Sequence, residues 1–193
     1  MIVLSIDVGI RNLAYIIIKI EDMNKHSILK WDVLELIETN EKVSNANNTK
    51  IGESLYLQFD EVLTTQPTID KILIENQIGQ NAIKMKCIQG MINMYFVMRN
   101  YNIENIINYN AKNKLKMFMD NKKTTYNERK KKSKEVTKQL CEKYYGDTVH
   151  SYYCKYKKKD DLADCLLQAL DYMKCKDFLN ESFYKVINDN ELS

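Results

Sequence analysis

The chain has 193 residues, 45% of them hydrophobic and only one a proline, so it is long and apolar enough to form one folded domain with a substantial core. No apolar run approaches the roughly 20 residues that cross a bilayer, and no basic leader precedes the first apolar stretch, which excludes a membrane protein and favours a soluble, intracellular one. The net charge of +3 is unevenly distributed: residues 112–138 carry eleven lysines or arginines against three acids, as is typical of proteins that bind a phosphate backbone.

The chain opens with an apolar stretch that ends in a carboxylate. Residues 2–6 are mostly apolar and β-branched, which indicates a strand buried on both faces. Asp7 follows, and an ionised carboxylate there is costly unless it meets a cation, a metal ion or strong donors. Gly9 allows a sharp turn, and the apolar run Leu13–Ile20 is the expected returning strand. Asp7 therefore predicts a metal or phosphate site at the rim of a sheet, with capping of its own turn as the alternative.

The next elements complete a meander and lead to a helix. Ser27–Ile37 alternates enough to be a third strand, antiparallel to the second. Residues 38–50 are polar and rich in asparagine, which is typical of a connector. Ile51–Gln66 has apolar residues at spacings of three and four and is followed by Pro67, so we expect a helix with one buried stripe.

A second strand that ends in a carboxylate follows this helix. Ile69–Gln77 contains the apolar run 72–74 and then Glu75. Because a helix connects the meander to it, we expect this strand to run parallel to the first one, with Asp7 and Glu75 side by side. Two carboxylates that close repel each other unless a divalent cation neutralises them.

The helix predicted for Asn81–Asn100 is apolar on two sides. One stripe comprises Met85, Ile88, Ile92, Tyr95 and Phe96, and the other comprises Ile83, Cys87, Met91, Met94 and Met98. A helix of this kind needs two surfaces to bury against. One is its own sheet; the other is either a partner subunit, which Gly90 would allow to approach closely, or the interior of the same chain.

The second half of the chain begins with a short fifth strand, predicted for Ile103–Tyr109. Residues 110–132 combine lysine and asparagine with little periodicity, and we expect a partly helical, mobile basic segment rather than core. Lys134–Tyr145 is an amphipathic helix that Gly146 ends. The tail from Lys176 onward has apolar residues that the pattern does not place.

The last helix carries two further acids. Asp160 or Asp161 begins it, and capping and the helix dipole explain acids at that position without any function. Asp164 lies one turn further in, on a common face with Asp161, and neither effect explains it. We expect Asp164 to face the sheet edge, so that four acids converge and bind Mg²⁺ or Mn²⁺, as two ions that promote phosphodiester hydrolysis. A kinase-type phosphate turn opens with the same pattern as Asp7, but all five glycines are isolated, which disfavours it.

The five cysteines are odd in number and include no Cys-x-x-Cys pair, which indicates reduced residues in a reducing compartment. Cys141, His150 and Cys154 could supply three zinc ligands, but a fourth ligand and the paired spacing of zinc sites are missing.

The chain carries four motifs in this order: SIDVGIRN at residues 5–12, LIENQ at 73–77, RKKKS at 129–133 and KDDLAD at 159–164. Together they resemble the RuvC-type Holliday junction resolvases, and most closely the branch of poxviruses and other large DNA viruses, with fungal mitochondrial resolvases as relatives. The match spans residues 2 to about 173. Each motif alone is weak, whereas the ordered set is fairly specific. Arg11 stands where relatives often have lysine, and the inserts near residues 42 and 112–123 have no counterpart in the pattern.

The resemblance implies an RNase H-like α/β fold, with a five-stranded mixed sheet of an antiparallel meander plus parallel strands, flanked by helices. It implies a homodimer that resolves four-way DNA junctions by paired symmetric nicks with Mg²⁺ or Mn²⁺ and no small-molecule cofactor, in the host cytoplasm if the source is viral. By position, Asp7, Glu75, Asp161 and Asp164 match the metal-binding acids. One lysine of the run Lys130–Lys132 matches the catalytic lysine, with Lys132, next to Ser133, or else Lys131 preferred. The basic residues expected to contact DNA are Arg129, Lys130, Lys131, Lys132, Lys134, Lys157, Lys158 and Lys159. An RNase H-like nuclease acting on hybrids or flaps, and a junction-binding protein without turnover, are the alternatives.

Overall fold

Five strands form one mixed sheet in the order β3-β2-β1-β4-β5 in the computed structural model, which describes residues 1–79, 82–110, 114–115, 118 and 125–183. The strands are β1 Ile2–Asp7, β2 Asn12–Asp22, β3 Lys25–Glu35, β4 Lys71–Glu75 and β5 Ile106–Tyr109. The helices are α1 Asn48–Thr64, α2 Ile83–Met98, α3 Tyr126–Leu140, α4 Asp147–Lys155 and α5 Lys159–Cys175. Among the residues described, no helix has both the length and the apolar character to cross a membrane.

The strand directions bring two predicted carboxylates to the same sheet edge. β1 and β2, and β2 and β3, pair antiparallel as a meander, whereas β1–β4 and β4–β5 pair parallel. In the β1–β4 pair Ile6 lies opposite Ile74, so the next residues, Asp7 and Glu75, end neighbouring strands side by side. The predicted five-stranded mixed sheet is therefore confirmed.

Helices cover both faces of the sheet, which explains why its central strands are apolar on both sides. α1 and α2 pack against one face, where Leu4 and Ile6 of β1 meet Phe59 and Phe96 of the helices. α3, α4 and α5 cover the other face, where Val3 of β1 lies in the same core cluster as the apolar side of α5. The acidic sheet edge thus lies beside α5, the helix that carries the second pair of predicted acids.

The fold differs from the expectation between β5 and α5. Residues 126–132, which we grouped with the basic segment, form the first two turns of α3, and Leu115 and Phe118 are buried in the core. α4 was not predicted at all. It begins directly after Gly146, whose φ of 86° suits the sharp change of direction there.

The tail beyond α5 returns to the core. Leu179 and Phe183 are buried. At the β2–β3 turn, Asn24 Nδ2 donates a hydrogen bond to Asn180 Oδ1, and Asn24 Oδ1 accepts one from the backbone N–H of Asn180. Tyr184 and the rest of the tail lie outside the described residues.

Candidate active site

The first part of the site is the turn after β1. Asp7 is the last residue of β1, and the chain reverses into β2 within four residues. Only glycine fits at position 9, because a Cβ atom there would lie 1.8 Å from the carbonyl oxygen of Asn12. The turn therefore holds Asp7 at the sheet edge with little freedom.

Asp7 is in an unfavourable environment for a lone carboxylate. Burial raises the pKa of Asp7 well above its usual value, the charges of Glu75 and Asp164 raise it further, and the charge of Lys114 lowers it. A hydrogen bond also joins the Asp7 and Glu75 side chains. Three acids from β1, β4 and α5 thus act on one another, as the sequence predicted.

Asp164 faces this edge because its helix buries the neighbouring positions. Ala163 and Cys165 are fully buried, whereas Asp164 is accessible on the side toward the strands. Its Oδ1 accepts a hydrogen bond of 3.2 Å from Ser133 Oγ, and its Oδ2 lies 2.8 Å from Lys114 Nζ. Both oxygens are therefore held in place, one by α3 and the other by an ammonium group.

Lys114 is a site residue that the sequence analysis missed. Its side chain is 15% exposed. Burial lowers the pKa of Lys114, but the charges of Asp164 and Asp7 outweigh burial, so the pKa is raised above its ordinary value. Nothing local distinguishes Lys114 from the lysines around it, since only the tertiary fold brings it to the acids.

These groups line a cleft of about 470 Å³ whose walls also include Asp161, Arg129 and Lys130. Burial raises the pKa of Asp161, and the neighbouring Asp160 raises it further. Lys130 Nζ lies 2.8 Å from Asp160 Oδ2, at the entrance of α5. The cleft is therefore lined by four acids together with the cationic side chains of Lys114, Arg129 and Lys130.

The sequence of the chain matches the family model described as Poxvirus A22 protein over residues 1–177. The chain belongs to this family. Among solved structures, it is similar to the Fowlpox virus resolvase in complex with substrate Holliday junction DNA, with 25% identity and a TM-score of 0.64 over 91% of this chain and 99% of that one. No curated protein matches.

Two further similar structures are more distant in sequence. The yeast mitochondrial Holliday junction resolvase Ydc2 is 18% identical, with a TM-score of 0.63 over 97% of this chain and 82% of that one. Thermus thermophilus RuvC is 16% identical, with a TM-score of 0.58 over 91% of this chain and 97% of that one. These likenesses show that this Poxvirus A22 family member has the RNase H-like fold that the resemblance implied.

The predicted basic residues divide into two groups. Arg129 and Lys130 line the cleft, because they lie on the side of α3 that carries Ser133. The others do not line it: Lys131, Lys132, Lys134, Lys157, Lys158 and Lys159. Lys132, the predicted catalytic lysine, is half-buried on α3 and is not among the described residues that line the cleft, whereas Lys130 lines it and pairs with Asp160.

The donor set of the cleft fits a hard divalent cation. Carboxylate oxygens are the ligands that Mg²⁺ and Mn²⁺ prefer, and the anion of Asp7 is destabilised by burial and then by its two acidic neighbours. Within the described ranges, no three carboxylate, histidine or cysteine side chains already form a closed metal-binding cluster, and this also holds for Cys141, His150 and Cys154. Instead, the ammonium group of Lys114 supplies positive charge to the acids.

Proposed function

We propose that this family member is a metal-dependent endonuclease that resolves four-way DNA junctions by paired symmetric nicks. The observation that carries the proposal is the meeting of Asp7, Glu75 and Asp164, from two strand ends and one helix, in a single cleft. The family match and the likeness to a resolvase solved with Holliday junction DNA support this substrate.

Asp7, Glu75 and Asp164 would hold Mg²⁺ or Mn²⁺, with Asp161 at the edge of the cleft. The four carboxylates suit two ions. Bound there, such ions activate water for attack and stabilise the leaving oxygen of an in-line phosphodiester displacement. The chain's own contribution is to fix the acids: Gly9 fixes the turn after Asp7, and Ser133 orients Asp164.

Lys130 is the catalytic lysine in this proposal. It lines the cleft from α3, and its ammonium group, which pairs with Asp160 at 2.8 Å in this structure, would offset the negative charge that develops on the phosphorus oxygens once it leaves that carboxylate. Arg129 is exposed on the same wall and suits the contact with the DNA backbone. The exposed lysines 131, 134, 157 and 158 extend this positive surface beyond the cleft.

We infer that two copies of the chain act together, since the described residues of one chain form a single acidic cleft and paired cleavage needs two. The second apolar stripe of α2, predicted to need a second surface, is exposed: Met94 is 54% and Met98 is 75% accessible. With Tyr56 it lines an apolar groove of about 430 Å³ between α1 and α2. Arg99, which pairs with Asp60 of the same chain, also lines this groove. We infer that a second copy occupies the groove, because pairing the same apolar face of two copies about a twofold axis would remove both from water.

A reducing compartment suits this protein. All five cysteines lie within the described ranges and are unbridged, and Cys141 and Cys165 are buried as core residues. The cytoplasm of the host cell meets this condition, which is consistent with a poxvirus family.

Incubation of the purified protein with a synthetic four-way junction and Mg²⁺ tests the function. The parent should yield two symmetric nicks, and Glu75→Gln should abolish them while junction binding survives. Glu53→Gln is the matched control, because Glu53 is exposed on α1 at the opposite face of the sheet. Binding without metal-dependent product would indicate a junction-binding protein, and preferential cleavage of hybrids or flaps would indicate the broader nuclease; either result refutes the proposal.

A further inference from the structure

A buried amide lies directly beneath the cleft. Gln168 is 1% exposed and occupies the apolar side of α5, next to Leu167 and Ala169, which are fully buried. A buried amide is costly unless its hydrogen bonds are made, and an apolar side chain of the same size would pack there without that requirement. Its presence at this position calls for a reason other than stability.

The amide nitrogen of Gln168 contacts both strands that carry the strand-end acids. It lies 3.0 Å from Ser5 Oγ and 3.2 Å from the carbonyl oxygen of Ile6 in β1, and 3.5 Å from the carbonyl oxygen of Leu73 in β4. Ser5 Oγ in turn donates a hydrogen bond of 2.9 Å to the carbonyl oxygen of Cys165 in α5. These bonds tie the helix to β1 and β4.

The position of these bonds relates them to the acids. Asp164 precedes Gln168 by four residues, so the two side chains lie on the same face of α5, one turn apart. Asp7 directly follows Ile6, and Glu75 follows Leu73 by two residues. One side chain therefore connects the backbone beneath all three acids of the cleft.

We propose that Gln168, with Ser5, is a positioning residue that sets the separation of Asp164 from Asp7 and Glu75, and thereby the affinity of the cleft for its divalent ion. Metal sites tolerate errors in ligand distance of only about 0.2 Å, so a helix free to shift on the sheet would lose affinity before it lost stability. This inference rests on the proposed function.

Gln168→Met tests it, because methionine has a similar length and no N–H group. No buried donor is left unpaired by this change, since Ser5 Oγ keeps its own bond to Cys165. We expect a melting temperature within about 5 °C of the parent's. The dissociation constant for Mn²⁺, measured on the full chain by calorimetry, should rise on the order of tenfold.

Leu170→Met is the matched control, because it places the same side chain at a buried position of the same helix without touching these bonds. It should leave the Mn²⁺ affinity within about twofold of the parent's. Ser5→Ala, which removes the hydroxyl that joins both elements, provides a second variant if Gln168→Met does not fold, and its Mn²⁺ affinity should also fall.

The inference is overturned if the folded Gln168→Met protein, or Ser5→Ala in its place, binds Mn²⁺ as tightly as the parent. A purely structural role predicts that result, with a lowered melting temperature alone. If the parent binds Mn²⁺ and cuts junctions, and the variant binds Mn²⁺ equally tightly, only the role of Gln168 is refuted. A parent that binds no Mn²⁺ refutes the proposed function and, with it, this inference.

Discussion

Asp7→Asn should make the metal-free protein more stable while it removes the response to divalent ions. Burial, Glu75 and Asp164 all raise the pKa of Asp7, so its ionisation at neutral pH costs folding free energy. Asparagine has nearly the same shape and can donate a hydrogen bond to Glu75, but it carries no charge. The substitution therefore removes a like-charge repulsion and a metal ligand together.

The size of the effect follows from the raised pKa. Each unit by which the folded pKa exceeds the unfolded one corresponds to about 1.4 kcal/mol, and about 1 kcal/mol shifts the melting temperature of a chain this long by roughly 2–4 °C. Without metal, we therefore expect Asp7→Asn to raise the melting temperature by roughly 3–6 °C for each pH unit by which folding raises the pKa of Asp7. The cost of ionising Asp7 is absent below its ordinary pKa of 3.8 and grows as pH rises toward the raised pKa of the folded state, so the gain should be smaller at pH 5 than at pH 8.

Thermal melts with and without Mn²⁺ measure both parts of the prediction. At a free concentration one hundred times its dissociation constant, an ion stabilises the parent by about 2.7 kcal/mol, or roughly 5–11 °C, and the variant should show little of this gain. Two results would refute the reasoning: a metal-free variant that melts below the parent, or a variant that Mn²⁺ stabilises as much as the parent.

Three further predictions concern the catalytic lysine, a buried histidine and the dimer. Lys130→Met should slow junction cleavage at least 10²-fold and Lys132→Met by only a few-fold in single-turnover assays; the reverse order would restore Lys132 to the catalytic role. Burial lowers the pKa of His26 from 6.5 to about 4, so its contribution to the free energy of unfolding is complete above pH 6.5. Roughly 3 kcal/mol of that free energy should be lost as pH falls to 4, and calorimetry should find a smaller loss in His26→Gln. Met94→Glu should give a monomer in sedimentation at micromolar concentration. The control Met23→Glu should remain a dimer, because Met23 is as exposed as Met94 (53% against 54%) but lies outside the groove. If both variants are dimers, the interface does not involve Met94.

The acids at the strand ends could be predicted from the sequence because their signal is local. Asp7 and Glu75 each end a short apolar run, and an ionisable carboxylate fits a strand buried on both faces only at its end. The parallel pairing followed from the helix between the strands. Asp164 was found because capping cannot explain an acid one turn inside a helix.

The choice of lysine could not be made in the same way, since it depends on where α3 begins. The side chains of Thr125 and Glu128 form a capping box that starts the helix at Tyr126, and this sets the face on which each later residue lies. We began the helix at Lys134 and therefore had no basis for separating Lys130 from Lys132. The Thr-x-x-Glu spacing was the signal that could have found it.

α4 and Lys114 show two other limits. α4 has only nine residues and buries Tyr153 alone among them, by stacking it on Trp31 of β3, so it carries almost no apolar periodicity. Lys114 reaches the acids through a tertiary contact, while Leu115 beside it packs into the core. Neither contact leaves a pattern in the neighbouring sequence.

The most direct test of the metal centre is anomalous diffraction from crystals soaked in Mn²⁺. We expect peaks within about 2.3 Å of carboxylate oxygens of Asp7, Glu75 and Asp164, with Lys114 Nζ displaced from Asp164 Oδ2. Crystals of the active protein that show no Mn²⁺ peak at these acids would contradict the claim that they form its catalytic metal site.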